Sequence, residues 1–189
     1  MEDIKLLRRE LKRISDLSLG EHTAAMSALM PTMPHSCVLY SLAPDNDVNG
    51  YNCHAFSLKL HEHPLMRVKG NKEHFFGSFN KHWLYFYALA IRFMKVIEPG
   101  KVQDDDIICY LEEPYTILKD MRVIHSGRIN AGVVTSKWGA KGHVWTHLVE
   151  HVPSSYEGHD GLLHVMYFRP DFEAIKQYFN DFFVAKSRR

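Results

Sequence analysis

The hydrophobic period of the chain changes near residue 104, and that change limits what it can fold into. Upstream the pattern is helical. Ile4, Leu6, Leu7, Leu11 and Ile14 recur at mostly three- and four-residue intervals among charges, so residues 3–30 read as an amphipathic helix. A break is expected near Gly20, with the helix resuming over 23–29 until Pro31 and Pro34 stop it. It reads first as a packing helix, with a partner-binding helix as the alternative. After an apolar run at 37–42, the Asn-, Asp-, Gly- and Pro-rich stretch 43–52 is a loop. Asn52 is placed to cap a helix over 53–60 that buries Ala55, Phe56 and Leu60 and ends before Pro64. A second, largely buried helix fits 80–97, closed by Glu98, Pro99 and Gly100.

Downstream the runs are short and β-branched or aromatic: 107–111, 121–129, 133–138, 143–149 and 163–168. Asn130, Ala131 and Gly132 suit a tight hairpin between the second and third of these strands. Residues 171–185 end the chain as a helix with Phe172, Ile175, Tyr178, Phe179 and Phe182 on one side. Helices, then an antiparallel sheet, then a closing helix define an α+β fold, and nothing resembling a linker or repeat divides 1–189 into more than one domain. At 189 residues one core is the default, burying about 70% of the unfolded surface.

Composition excludes several classes. Lys plus Arg is 23 against 22 for Asp plus Glu, so charge gives no case for nucleic acid. The longest apolar stretches, such as 83–91, fall far short of the roughly 20 residues that span a bilayer. The charged residues 1–17 lack the apolar core of a signal peptide, so a cytoplasmic product is expected, with signal-independent export left open. Three widely spaced cysteines, Cys37, Cys53 and Cys109, read as free thiols. Thirteen histidines are a reason to look for a site.

Cys53 is the first candidate. It follows a loop at the first turn of a helix, where main-chain N–H groups favour a thiolate; the other reading is a small buried hydrophobe. Cys37 and Cys109 lie in apolar runs and read as core. A cysteine nucleophile needs a base, and His125, near the start of a strand and two residues before Gly127, is in a reasonable place to supply it. Two other constellations compete. His143, His147 and His151 would stack on a helix and could hold zinc with Glu150, but Val144, Trp145, Thr146 and Val149 favour a strand. There the three would spread over about 26 Å at about 3.3 Å per residue, too far for one ion. His61, Glu62 and His63 read as a solvated helix exit, and no glycine pattern cradles a phosphate. No metal or cofactor is expected. The aromatic residues around 75–87, with Trp138 and Trp145, read as core and rim, with an apolar cleft wall as the alternative. The basic residues 186–189 read as a solvated tail.

Tyr51-Asn52-Cys53-His54-Ala55-Phe56, then Asp106-Ile107-Ile108-Cys109-Tyr110, His125-Ser126-Gly127 and Ser136-Lys137-Trp138-Gly139 together resemble the NlpC-type branch of papain-like cysteine peptidases and amidases. The likeness covers roughly 50–168, with 1–36 as a helical extension and 171–189 as a closing helix and tail. It implies a papain-like fold in which a cysteine-bearing helix packs on an antiparallel sheet. Cys53 is then the nucleophile and His125 the general base. The third residue falls at Ser136 or Lys137, where the family usually has His, Asn or Gln, and His147 is the rival. Lecithin retinol acyltransferase-like proteins share the Asn-Cys string but place their histidine upstream. The activity implied is hydrolysis of an amide or peptide bond, in peptidoglycan peptides or in a protein target of an exported bacterial effector. A thiol acyltransferase or deamidase would use the same residues, and a non-catalytic binding protein is the alternative from another class.

Overall fold

The computed structural model describes residues 2–29, 31, 37–41, 51–67, 82–114, 121–138 and 142–187. Its helices are α1 (Glu2–Ser15), α2 (Leu19–Leu29), α3 (Cys53–Ser57), α4 (His82–Phe93) and α5 (Phe172–Ser187). Its strands are β1 (Cys37–Ser41), β2 (Met94–Ile97), β3 (Ile107–Leu111), β4 (Val123–Asn130), β5 (Val133–Lys137), β6 (Val144–His147) and β7 (His164–Pro170). All seven form one antiparallel sheet in the order β1-β6-β5-β4-β3-β7-β2. The α+β arrangement is as expected.

Local chemistry explains where the elements begin and end. The first helical stretch breaks at residues 16–18, and Gly20 lies inside α2. Glu21 fixes the start of α2 from one side: both the main-chain N–H and the hydroxyl of Ser18 donate to its carboxylate, at 3.1 and 2.6 Å. Asn52 caps α3 by accepting the N–H of Ala55 at 2.8 Å, but α3 has only five residues, because Lys59 takes a left-handed conformation with φ 57°. The helix expected over 80–97 ends at Phe93 and runs straight into a strand. Met94, Lys95, Val96 and Ile97 pair with Pro170, Arg169, Phe168 and Tyr167, so tertiary pairing overrides a weak helical preference. The hairpin forms as read, with Ala131 and Gly132 at φ 49° and 76° as its two turn residues. Asp171 caps α5 through the N–H of Ala174 at 3.0 Å.

Helices cover both faces of the sheet. Alternation along β3 shows it, since all five residues are buried. Ile107, Cys109 and Leu111 join Ala55, Phe86, Phe168, Ile175 and Phe179 in a core beneath α3, α4 and α5. Ile108 and Tyr110 turn to the other side, with Ile129, Val134 and Val152. On that second face Leu11 and Ile14 of α1 and Met26 of α2 pack on Trp138 and Trp145. The aromatic residues 75–81 and the loop at 42–50 lie outside the described residues, whereas Phe86 and Tyr87 belong to the first core. His61 and His63 are not a solvated exit: the His61 ring lies against Tyr51 and Phe56, and His63 meets Phe179 edge-on.

Candidate functional site

Three of the four sequence-derived site residues form one hydrogen-bonded chain, and the fourth lies on the opposite face of the sheet. His125 on β4 reaches Ser136 on β5 through Nε2 at 3.0 Å. The Ser136 hydroxyl reaches Nε2 of His147 on β6 at 2.8 Å, and Nδ1 of His147 meets the Leu148 carbonyl at 2.8 Å. All three side chains are fully buried. Tyr156, on a single 3-10 turn at Ser154–Tyr156, stacks its ring flat on His125 at 3.8 Å between centroids, and Tyr110 approaches from β3. Gly127 lies beside this chain. A Cβ there would meet Val134 and the Cβ of Ser136 at 2.7 and 2.9 Å, so its close approach serves the β4–β5 contact.

Cys53 belongs to the other face. Its helix packs on β4 and β5, and its two neighbours on β4 and β3 are Ser126 and Cys109, which are themselves register partners. The expected pairing of Cys53 with His125 is therefore corrected. Nε2 of His125 is held by Ser136, and Nδ1 has no hydrogen-bond partner among the described residues, so neither nitrogen engages the thiol. The cause is a bulge in β4. Leu111 pairs with Val123 but Tyr110 pairs with His125, so Ile124 is an extra residue. Val123 joins the core under α3 to α5; simple alternation would have put His125 there too, and the inserted residue turns it away.

Ser126 takes the place facing α3. Its hydroxyl lies 2.8 Å from Nδ1 of His54 and 2.8 Å from the Ser57 hydroxyl, and Ser57 in turn donates to the His54 carbonyl at 3.1 Å. Around Cys53, burial pushes the thiol up to about 11, while the main-chain N–H groups of Ser126 and His54 and the nearby Lys137 charge pull it down. A five-residue helix adds little dipole to that pull. Lys137 is fully buried, donates to the Gly142 carbonyl and holds its ammonium 5.0 Å from the centre of the Tyr51 ring. It shares the Cys53 face, because its neighbour Ser136 points to the other. Cys109 lies at 0% exposure within the core, and its thiol is raised well above the usual range by burial.

On the His125 face both imidazoles are held neutral. Burial first, then the charges of His147 and His54, keep His125 well below 6.5; burial lowers His147 to about 4. Among the described residues no group of three His, Cys, Asp or Glu side chains could hold a metal ion; of the three histidines only His147 lies in β6, with His143 before it and His151 in the loop after it.

No family model, no curated protein and no solved structure matches the chain. His54, Ser126 and Lys137 are the polar residues that the sequence reading did not place around Cys53. Their only signal was position: each immediately follows a residue given a role, and Lys137 was weighed as an orienting residue instead of a neighbour of the thiol.

No helix among the described residues is long and apolar enough to cross a membrane.

Proposed function

We propose that the chain is a thiol hydrolase of an amide or peptide bond in which Cys53 is the nucleophile and Lys137, in place of His125, is the cation that holds its thiolate. The observation that supports this reading most is the placement of Cys53 at the first turn of α3 with the buried Lys137 on the same face of the sheet, its charge lowering the thiol against the burial that raises it. A helix start and a nearby cation stabilise a thiolate and, later, the oxyanion of an attacked carbonyl. The thiolate attacks the carbonyl carbon, the amine leaves with a proton from Lys137, and water then adds to the thioester, giving a proton back to Lys137 and releasing the acid and the Cys53 thiolate. The α+β setting of a cysteine-bearing helix on an antiparallel sheet is compatible with the NlpC-type resemblance, which points to peptidoglycan-type peptides or a protein target as substrate.

A second reading, a non-catalytic protein with a buried structural cysteine, is favoured by the 8% exposure of Cys53 and by a thiol pushed up to about 11. Iodoacetamide labelling across pH, with the modified cysteine located by mass spectrometry, separates the two. Hydrolase chemistry requires Cys53 to label below about pH 8, the ordinary thiol range, in the wild type, to need higher pH in Lys137→Met, and to ignore His125→Ala. Labelling confined to high pH and indifferent to Lys137 establishes the structural cysteine.

A further inference from the structure

The protons of the His125–Ser136–His147 chain can be placed one by one. The Leu148 carbonyl can only accept, so Nδ1 of His147 carries a hydrogen. A neutral His147 then has a bare Nε2, to which the Ser136 hydroxyl donates. That hydroxyl has no second hydrogen, so Nε2–H of His125 donates to it. Three hydrogens fill three contacts, and Nδ1 of His125 is left as a bare lone pair, buried and without a partner among the described residues.

A fourth proton cannot be placed with every hydrogen bonded. Added at Nδ1 of His125, it makes an imidazolium whose new N–H meets no acceptor. Added at Nε2 of His147, it either turns the Ser136 hydrogen towards His125, whose own proton then moves to Nδ1, or leaves Ser136 accepting from both imidazoles with its hydrogen unplaced. Each route leaves one buried hydrogen without an acceptor among the described residues. The groups around the pair do not compensate. Tyr110 faces His125 from β3, His54 from α3 through the sheet, and His151 faces His147 from the loop after β6. Arg8 of α1 stands beyond, bonded to the Glu157 carboxylate at 3.0 Å and the Glu150 carbonyl at 2.9 Å. The Tyr156 face attracts a cation but offers nothing to an in-plane N–H.

We infer that the His125–Ser136–His147 chain is an acid-sensitive latch: uptake of one proton at Nδ1 of His125 releases the Tyr156 turn, and with it the Arg8–Glu157 tie to α1, from this face of the sheet. The turn is the element to yield. It is a single 3-10 turn with no side-chain cap, whereas β4, β5 and β6 are paired on both sides. The latch is independent of any chemistry at Cys53, because it occupies the other face.

The test is cleavage of the full chain after Glu157 by a glutamate-specific protease from pH 7.5 to 5.0, each rate divided by that of an unstructured peptide covering residues 150–164. The wild type is expected to cleave about 10-fold faster at pH 5.0 than at 7.5. His125→Gln keeps a donor towards Ser136 but does not titrate, and its ratio is expected to stay within about 2-fold. Tyr156→Ala is expected to cleave fast at both pH values. A flat wild-type profile, or the same rise in His125→Gln, overturns the latch; the latter would assign the rise to another group, such as His151. Should His125→Gln fail to fold, ring-nitrogen correlation spectra of the wild type at pH 7.5 decide. Hydrogens on Nε2 of His125 and Nδ1 of His147 support the latch, and the opposite tautomer of His125 overturns it.

Discussion

Two histidine–serine networks lie back to back across β4, one built on Ser126 and the other on His125. They use the same residue types and similar distances, yet they are wired differently. Facing α3, the His54 carbonyl must accept from Ser57, so Ser126 donates to Ser57 and Nδ1–H of His54 donates to Ser126. That network starts and ends on His54, a closed ring that ties α3 to the sheet. Facing α1, the chain from Leu148 through His147 and Ser136 stops at the bare nitrogen of His125. The ring stays between α3 and the single strand β4, whereas the chain crosses three strands and couples two imidazoles through one hydroxyl.

The first way to break this comparison is to damage the apolar core that only one network adjoins. Phe168 is 1% exposed in the cluster beneath α3 to α5. Phe168→Ala should cost about 3–5 kcal/mol in urea denaturation, by the same amount at pH 7.5 and pH 5.5, because no titrating group depends on that ring. A loss that changed markedly with pH would mean that the two faces are energetically coupled through the sheet.

The second is acid. His147 is lowered from 6.5 to about 4, so the unfolded chain binds its proton first as pH falls. Its contribution to stability is complete above about pH 6.5 and drains away between there and about pH 4. At about 1.4 kcal/mol per pKa step this amounts to roughly 3 kcal/mol. Asp106, which burial raises but the bonds from Arg169 and the Gln103 N–H bring below its ordinary value, is common to both proteins compared. The quantity to measure is therefore the stability difference between wild type and His147→Gln: it should shrink by roughly that amount from pH 7 to pH 4, and a constant difference would show that His147 does not titrate in this fold.

How much of this was legible beforehand follows from the same strand. Elements with local signals were readable: the Asn52 cap, the Ala131-Gly132 turn, and the strands from Ile107 onward. The joining of His125, Ser136 and His147 was partly so, because Ser136 and His147 were the rival candidates to orient the His125 imidazole. The face on which each polar residue of β4 lands was not legible. A strand buried on both sides does not alternate, and Val123 to Ile129 reads the same whether or not Ile124 is an inserted bulge residue. One unmarked residue thus decided whether His125 faced Cys53. The strand β2 was hidden for a related reason, since its pairing partner β7 lies some 70 residues away and nothing local in Met94–Ile97 announces it.

A pair of serine deletions sharpens the contrast at smaller scale. Ser136→Ala and Ser126→Ala each leave a buried imidazole N–H without its acceptor, so each should cost about 1–3 kcal/mol at pH 7.5. They should part company at pH 5.5. Removing Ser126 opens a ring that joins no second imidazole, and the Nδ1–H of His54 loses its acceptor at either pH, so its cost should not move. Removing Ser136 uncouples the two imidazoles, leaving His147 a bare Nε2 that can take a proton without forcing one onto His125, and its cost should fall. Equal pH dependence in the two variants would contradict the distinction between ring and chain.

The smallest effect concerns what holds α3 in place. Asn52→Ala removes the acceptor for the Ala55 N–H and should cost about 1 kcal/mol. In a helix of five residues that bond is a large share of the local order, so its loss should be felt at Cys53 before it is felt in global unfolding. Loosening α3 relieves the burial that raises the thiol, and Cys53 in Asn52→Ala should therefore label with iodoacetamide at lower pH than in wild type. His125 sits across the sheet and has no part in this. An Asn52→Ala variant whose labelling shift disappears when His125 is also changed would show that the two faces communicate after all, through the one strand they share.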